Sequence, residues 1–190
     1  GVILPYLDIP FQHASPSVLK TMRRPAHQET TLGRIKQWQA DCPNLAIRST
    51  FIVGFPGETE AEFKDTLKLV DEVAYAQAFS FKYSPRPGTP AAGMDGQISA
   101  EVMKDRLARL QDRLNRDQHA FNTASVGRTC EVLVERKGKL PGQWLGKSPW
   151  LQSVFFEGAD IAIGDLVQVR LEDAGPNSLR GAPLRQPALA

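Results

Sequence analysis

The sequence predicts an α/β region with parallel strands followed by a small all-β barrel, and three observations point that way. Up to about Thr123, β-branched and aromatic runs alternate with segments whose apolar residues recur every three or four positions. That order, β, α, β, α, β, argues for parallel strands joined by right-handed crossovers. At its centre, Ala46 to Glu62 (AIRSTFIVGFPGETEAE) packs a strand, a glycine-rich turn and a helix start into one short stretch. After Thr123 the helical period gives way to short strand-like runs separated by glycine, proline and aspartate turns, the spacing of a small barrel. A boundary near Ser125 divides the chain into residues 1–124 and 125–190.

Tyr6–Gln12 (YLDIPFQ) reads as the first strand. Ser15-Pro16 pairs a capping hydroxyl with a proline at the first helical position. Val18, Leu19 and Met22 supply that helix's apolar face, Arg23 and Arg24 close it, and Pro25 stops it. Leu32, Ile35 and Trp38 mark a second helix ending near Cys42-Pro43. Ile47, Phe51, Ile52 and Val53 form the central strand, which Gly54, Pro56 and Gly57 break sharply. Thr59 and Glu62 have the spacing of a capping box, and Phe63, Leu67, Val70 and Val73 share one face of the helix behind it. Ala78–Tyr83 alternates as a strand and runs into the proline-rich loop Ser84–Pro90. From Ser99 a long helix repeats Met103, Leu107, Leu110 and Leu114, with Phe121 extending that face and a charged side that reads as solvated. Glu131–Glu135, Trp144-Leu145, Gln152–Glu157 and Leu166–Leu171 are the strand-like runs of the barrel.

A length of 190 residues allows one to two domains, and a net charge of +2 excludes bulk electrostatic binding of nucleic acid while leaving room for a local patch. No apolar run approaches membrane-spanning length, and no signal-peptide pattern opens the sequence, so no membrane partner is expected. Cys42 and Cys130 lie too far apart in sequence to suggest a disulfide framework or a metal site. A reducing, cytoplasmic setting is the expectation. Gly1 opens almost directly into a strand-like segment, which suggests a start inside a domain.

YLDIPFQHAS, RSTFIVGFPGETE, FKYSPRPGTPAA and GPNSLRG occur in this order and together resemble the radical S-adenosylmethionine methylthiotransferases over nearly the whole chain. The resemblance implies the C-terminal half of a TIM-like partial (β/α) barrel followed by a TRAM domain. It also implies S-adenosylmethionine as cofactor, two [4Fe–4S] clusters in the full-length enzyme, and insertion of sulfur into a C–H bond with methylation. The family's Cys-x-x-x-Cys-x-x-Cys motif does not occur here, and Cys42 and Cys130 match none of its cluster ligands. These residues alone are therefore expected to be inert, and no metal ligand is assigned. Residues 1 to about 60 look like the RimO type, which modifies an aspartate of a small-subunit ribosomal protein. The remainder looks like the MiaB type, which modifies a tRNA adenosine beside the anticodon, with the seam at FIVGFPGETE. The tRNA substrate, an anticodon stem-loop, is the first reading and the ribosomal protein the second; a non-catalytic RNA-binding module is the alternative from another class.

Gln12, Ser49, Thr50 and Tyr83 stand at or near the ends of successive expected strands, which in a parallel barrel converge on one mouth. Taken with the resemblance, they are candidates to hold the amino, carboxylate and ribose groups of S-adenosylmethionine, with Ile52, Val53 and Gly54 offering apolar and backbone contacts to adenine. Ordinary polar capping of strand ends is the competing reading. Arg48 suits either substrate or solvent, and His13 either proton transfer or a structural role. In the tail, Arg128, Lys147, Trp150, Asn177 and Arg180 mix cations with an aromatic on a small barrel, the chemistry of phosphate neutralisation and base stacking. Trp144 and Trp150 equally suit a barrel core.

Overall fold

The computed structural model describes residues 3–24 and 28–184. Gly1 and Pro25, read above as an opening and a helix stop, lie outside them. The described chain forms two compact units, one of Leu7–Asp117 and one from Gln118 on together with the residues before Leu7.

In the first unit the elements are β1 (Tyr6–Asp8, begun by Tyr6), α1 (Pro16–Thr21), α2 (Gln28–Asp41), β2 (Ala46–Val53), α3 (Glu60–Val73), β3 (Gln77–Lys82), a 3-10 turn over Pro90–Gly93 and most of α4 (Ala100–Ala124). The strands form one sheet in the order β1-β2-β3. β2 and β3 run parallel, with Arg48 opposite Gln77 and Val53 opposite Lys82. β1 is shorter than its sequence suggested: Pro10 has no N–H for a ladder, and pairing resumes only as a bridge from Gln12 to Phe51.

β2 alternates strictly. Ile47, Ser49, Phe51 and Val53 point into the packed side, while Arg48, Thr50 and Ile52 take the other face. The packed side meets Phe63, Leu67 and Val70 of α3, Leu110 and Leu114 of α4, and Tyr75. Tyr75 stacks edge-on against Phe51, 5.4 Å between ring centroids, with its hydroxyl buried and unpartnered. Burial accordingly pushes its phenol pKa up. The opposite face of β3 leaves Phe79 and Phe81 43% and 54% exposed. Parallel sheets are normally covered on both sides, so this face is unpartnered within the described residues.

The capping box forms as the sequence predicted: Thr59 Oγ1 accepts the Glu62 N–H and Glu62 accepts the Thr59 N–H. α3 ends on Ala74 at φ 52°, a left-handed cap without the usual glycine. Ion pairs tie α3 and its N-terminal turn to α4, from Asp71 to Arg113 and Arg116 and from Glu60 to Arg109. Burial works to raise the Asp71 carboxyl, but hydrogen bonds from Arg116 and Arg113 outweigh it and hold the pKa below the ordinary value.

The second unit is a closed barrel of β4 (Thr129–Lys137), β5 (Gln143–Lys147), β6 (Ser153–Glu157), β7 (Leu166–Ala174) and β8 (Leu179–Pro183), in the order β4-β5-β6-β8-β7. All neighbours are antiparallel except β6 and β8, which pair in parallel through Val154–Leu179 and Phe155–Arg180. Alternate residues fill the interior: Val132, Val134, Val154, Phe156, Val169, Leu171 and Leu179 are each at most 2% exposed. β8 was not anticipated, because GPNSLRG carries too few β-branched residues to read as a strand.

The last turns of α4 belong to this unit. Asn122 donates to the carbonyls of Gly175 and Pro176, and Gln152 donates to Asn122 Oδ1 at 2.8 Å and to Ser125 Oγ at 3.2 Å. Gln118 donates to Asn177 Oδ1. The buried Asn122, Ser125 and Gln152 thus satisfy one another, as buried polar groups must.

Candidate functional site

In the first unit a cleft of about 300 Å³ opens beyond the carboxyl end of β2. Gln12, Ile52, Phe55 and Met94 line it, with Arg23 and Arg24 along one wall and Thr89 to Ala91 along another. The volume is at the lower end of the roughly 300–1,000 Å³ of small-molecule sites. Gln12 sits at φ 69°, a conformation that costs a non-glycine residue of order 1–3 kcal/mol and persists only where the surroundings impose it. Its N–H donates to Thr50 and its carbonyl accepts from Ile52, so the residue is stitched onto β2 on both sides.

The sequence candidates divide around this cleft. Gln12 and Ile52 line it, and Thr50 shares the face of Ile52. Ser49 and Val53 turn the other way: Ser49 is fully buried and accepts the Phe11 N–H, while Val53 lies in the core and offers only its carbonyl, to Tyr83 N–H. The strand period that puts Thr50 and Ile52 on the open face takes these two side chains off it. Gly54 stands at φ 77°, and a Cβ there would overlap the side chain of Met103. Tyr83 packs edge-on against Phe55 at 5.3 Å, its hydroxyl buried and unpartnered. Arg48 pairs with Asp8 at 2.7 Å and lies over the Phe79 ring.

Behind the cleft is a buried polar cluster. His13 and Glu58 have no exposed side-chain surface, and Nε2 of the imidazole lies 3.1 Å from Glu58 Oε1. Ser15 N–H donates to His13 Nδ1, which places the ring proton on Nε2, facing the carboxylate. Glu58 Oε2 accepts from the Gly54 N–H and forms an ion pair with Arg106, 3.3 Å away. A buried charge survives only when paired and hydrogen-bonded in this way. Ser15, expected to cap α1 with its hydroxyl, instead donates to Glu62, as does Ser17, and Ala14 N–H donates to Thr66 Oγ1. Burial works to raise the Glu62 carboxyl, but hydrogen bonds from Ser17, Thr59 and Ser15 outweigh it and bring its pKa down to about 2. Glu58 and Arg106 were not singled out in the sequence. Arg106 belongs to the side of α4 that read as solvated, yet it is 5% exposed.

In the barrel, Trp150 is 8% exposed, and the Arg128 guanidinium covers its ring at 4.0 Å. Of its two sequence readings, burial agrees with core, and the stack fixes the direction of Arg128. Lys147 donates to Ser153 Oγ. Asn177 is exposed, whereas Arg180 is drawn toward Glu172 and Asp173 at 3.7 and 3.8 Å. Arg128 stacks on Trp150 and Asn177 accepts from Gln118 of α4, whereas Arg180 borders a cleft of about 250 Å³ with Phe155, Glu157 and Glu172.

The described residues contain no group of three or more His, Cys, Asp or Glu placed to hold a metal ion, and no helix among them is long and apolar enough to cross a membrane. The TRAM domain family matches residues 124–184. The chain is 66% identical over 179 residues to tRNA-2-methylthio-N(6)-dimethylallyladenosine synthase of Erythrobacter litoralis, covering 94% of this chain and 40% of the relative. The enzyme of that name from Zymomonas mobilis is 52% identical over 188 residues, 99% of this chain and 42% of the relative. The chain thus spans about two-fifths of the length of these curated relatives. Both matches cross residue 60, so the seam suggested by the sequence lies within one continuous similarity to tRNA-directed relatives. Among solved structures, coproporphyrinogen III oxidase of Escherichia coli, a radical SAM enzyme, aligns with TM-score 0.52 at 15% identity, over 77% of this chain and 41% of that one. That likeness supports the mixed fold of a partial β/α barrel with a small barrel. Over nearly its whole length this chain is thus similar to tRNA-2-methylthio-N(6)-dimethylallyladenosine synthases, and its residues 124–184 match the TRAM domain family.

Proposed function

We propose that this chain is the cofactor-side and RNA-side portion of an enzyme that adds a methylthio group to an N6-dimethylallyl adenosine beside the tRNA anticodon. The observation that supports it best is the cleft beyond β2, where a left-handed Gln12, apolar Ile52 and Phe55, and the cations Arg23 and Arg24 meet. Those groups fit S-adenosylmethionine: an apolar floor suits adenine, a polar lip suits ribose, and cations suit the carboxylate. Bound there, S-adenosylmethionine would supply a methyl group or, in a second molecule reduced by an iron–sulfur cluster held outside these residues, the radical that activates a C–H bond. The residues of this chain bind and orient it. Thr50, Ile52, Gly54 and Tyr83 belong to this assignment with Gln12, while Ser49 and Val53 act by holding the strand that carries them.

The barrel, taken from near Ser125, is the tRNA-contacting part in this reading, with Arg128 presented by Trp150 and supported by Lys147, Asn177 and Arg180. The cytoplasm is the corresponding setting. Two titrations on the whole chain test the proposal. Calorimetry with S-adenosylhomocysteine should give saturable binding that Ile52→Asp abolishes. Binding of a dimethylallylated anticodon stem-loop should weaken as salt rises, and Arg128→Ala should reduce the salt slope by about one. RNA binding without nucleoside binding would leave an RNA-binding module. Neither binding would refute the proposal.

A further inference from the structure

Glu58, Glu62 and Thr66 are spaced four apart, and each accepts hydrogen bonds from the segment that follows Gln12. Glu58 accepts from His13 Nε2–H, Glu62 from the hydroxyls of Ser15 and Ser17, and Thr66 Oγ1 from the Ala14 N–H. Residues four apart in a helix share a face, so Glu62 and Thr66 stack along α3, and Glu58, the residue before its cap, extends this column of acceptors through its bond to His13. Glu58 also holds the Gly54 N–H at the end of β2. One carboxylate therefore joins the two segments that carry the cleft, Gln12 to Ser17 on one side and Ile52 to Phe55 on the other. Arg106 of α4 neutralises it and also donates to its main-chain carbonyl at 3.0 Å.

We propose that this column is a positioning device, with Glu58 as its principal residue, which imposes the left-handed backbone of Gln12 and sets its distance from Ile52. The inference rests on the cofactor reading of the cleft. A residue at φ 69° needs neighbours that over-determine it, and bonds at the next residues, His13, Ala14 and Ser15, provide that constraint. The column also explains why the hydroxyl of Ser15 is spent on Glu62 rather than on capping α1. Glu58 cannot be exchanged for its amide without conflict, because both oxygens face donors: His13 at one, Gly54 and Arg106 at the other. A glutamine nitrogen placed on either side meets an N–H.

The test uses the whole chain and the variants Glu58→Gln and Thr66→Val, each followed by amide NMR and by titration with S-adenosylhomocysteine. Thr66→Val removes one acceptor farther up the column, and it keeps the question open to experiment if Glu58→Gln does not fold. The expected result is that the Gln12 and Gly54 amide signals move in Glu58→Gln, with affinity lowered by at least about tenfold. Thr66→Val should move Gln12 less and weaken binding several-fold. A purely structural role would lower the melting temperature and leave both readouts where they were. Unmoved Gln12 signals in the folded variants overturn the proposal, as does unchanged affinity with a moved Gln12. If the unsubstituted chain binds no nucleoside but Gln12 still moves in the variants, the cofactor reading falls and the positioning role stands.

Discussion

The two units solve the problem of burying a sheet in opposite ways. The barrel is closed, so each strand finds a partner on both sides and a handful of aliphatic and aromatic side chains fill one interior. The α/β unit has three strands, one packed face and one face that shows Phe79 and Phe81. Where the barrel relies on apolar filling, the α/β unit places a buried carboxylate, imidazole and guanidinium directly behind its cleft. Apolar packing tolerates reshuffling of similar volumes, whereas a buried polar cluster specifies individual atoms. The strand interior of the barrel is thus apolar, whereas the buried His13, Glu58 and Arg106 of the α/β unit depend on specific partners.

The largest effect should come from setting the filled face against the open one. Phe156→Ala, at a side chain 2% exposed, should destabilise the barrel by roughly 3–5 kcal/mol, while Phe81→Ala, at one 54% exposed, should cost under about 1 kcal/mol. Denaturant melts of both variants decide this, and equal losses would mean that the open face is packed in solution. Next, Gly54→Val should cost more than Gly138→Val. A Cβ at either would overlap a side chain, Met103 for Gly54 and Gln143 for Gly138, but only Gly54, at φ 77°, also has a left-handed backbone that strains any side chain. Melting temperatures and nucleoside affinity rank the pair.

Truncation sharpens the comparison at its border. A barrel fragment beginning at Gln118 should melt higher than one beginning at Ser125, because the shorter piece strands Gln152 without Asn122. Acid gives a smaller signal. Glu62 has its folded pKa lowered to about 2 from 4.5, so it binds protons less readily when folded. Its contribution is complete above pH 4.5 and is lost as pH falls toward 2. Wild type should therefore exceed Glu62→Gln in melting temperature near neutrality, and the two should converge in that window. The smallest change is Tyr75→Phe, which removes a buried hydroxyl without a partner and should be neutral or stabilising by up to about 1 kcal/mol. A loss would show that the hydroxyl does have a partner in solution.

Much of the architecture was legible because it rests on local rules. The Thr59–Glu62 box, the Gly54 turn and the heptad-like face of α4 are each written within a few residues. The candidate site was only half legible. Gln12 and Ile52 stood out by type and position, but the direction of Ser49 and Val53 follows from a strand register that polar residue type does not reveal. Glu58 and Arg106 lie 48 residues apart and meet only through tertiary packing. The four-residue spacing of Glu58, Glu62 and Thr66 was the available signal, and it was masked because Glu62 already had a role in the cap.

The parallel pairing of β6 with β8 has a consequence for how the chain is made. β8 fits between β6 and β7, so the barrel cannot close until the segment through Pro183 has left the ribosome. At synthesis rates of about 5–20 residues per second, β6 waits on the order of a second or more with one edge unsatisfied. During that interval the nascent chain presents Val154 and Phe156 without their final neighbours. The short length of β6, five residues, limits the template it offers to other chains.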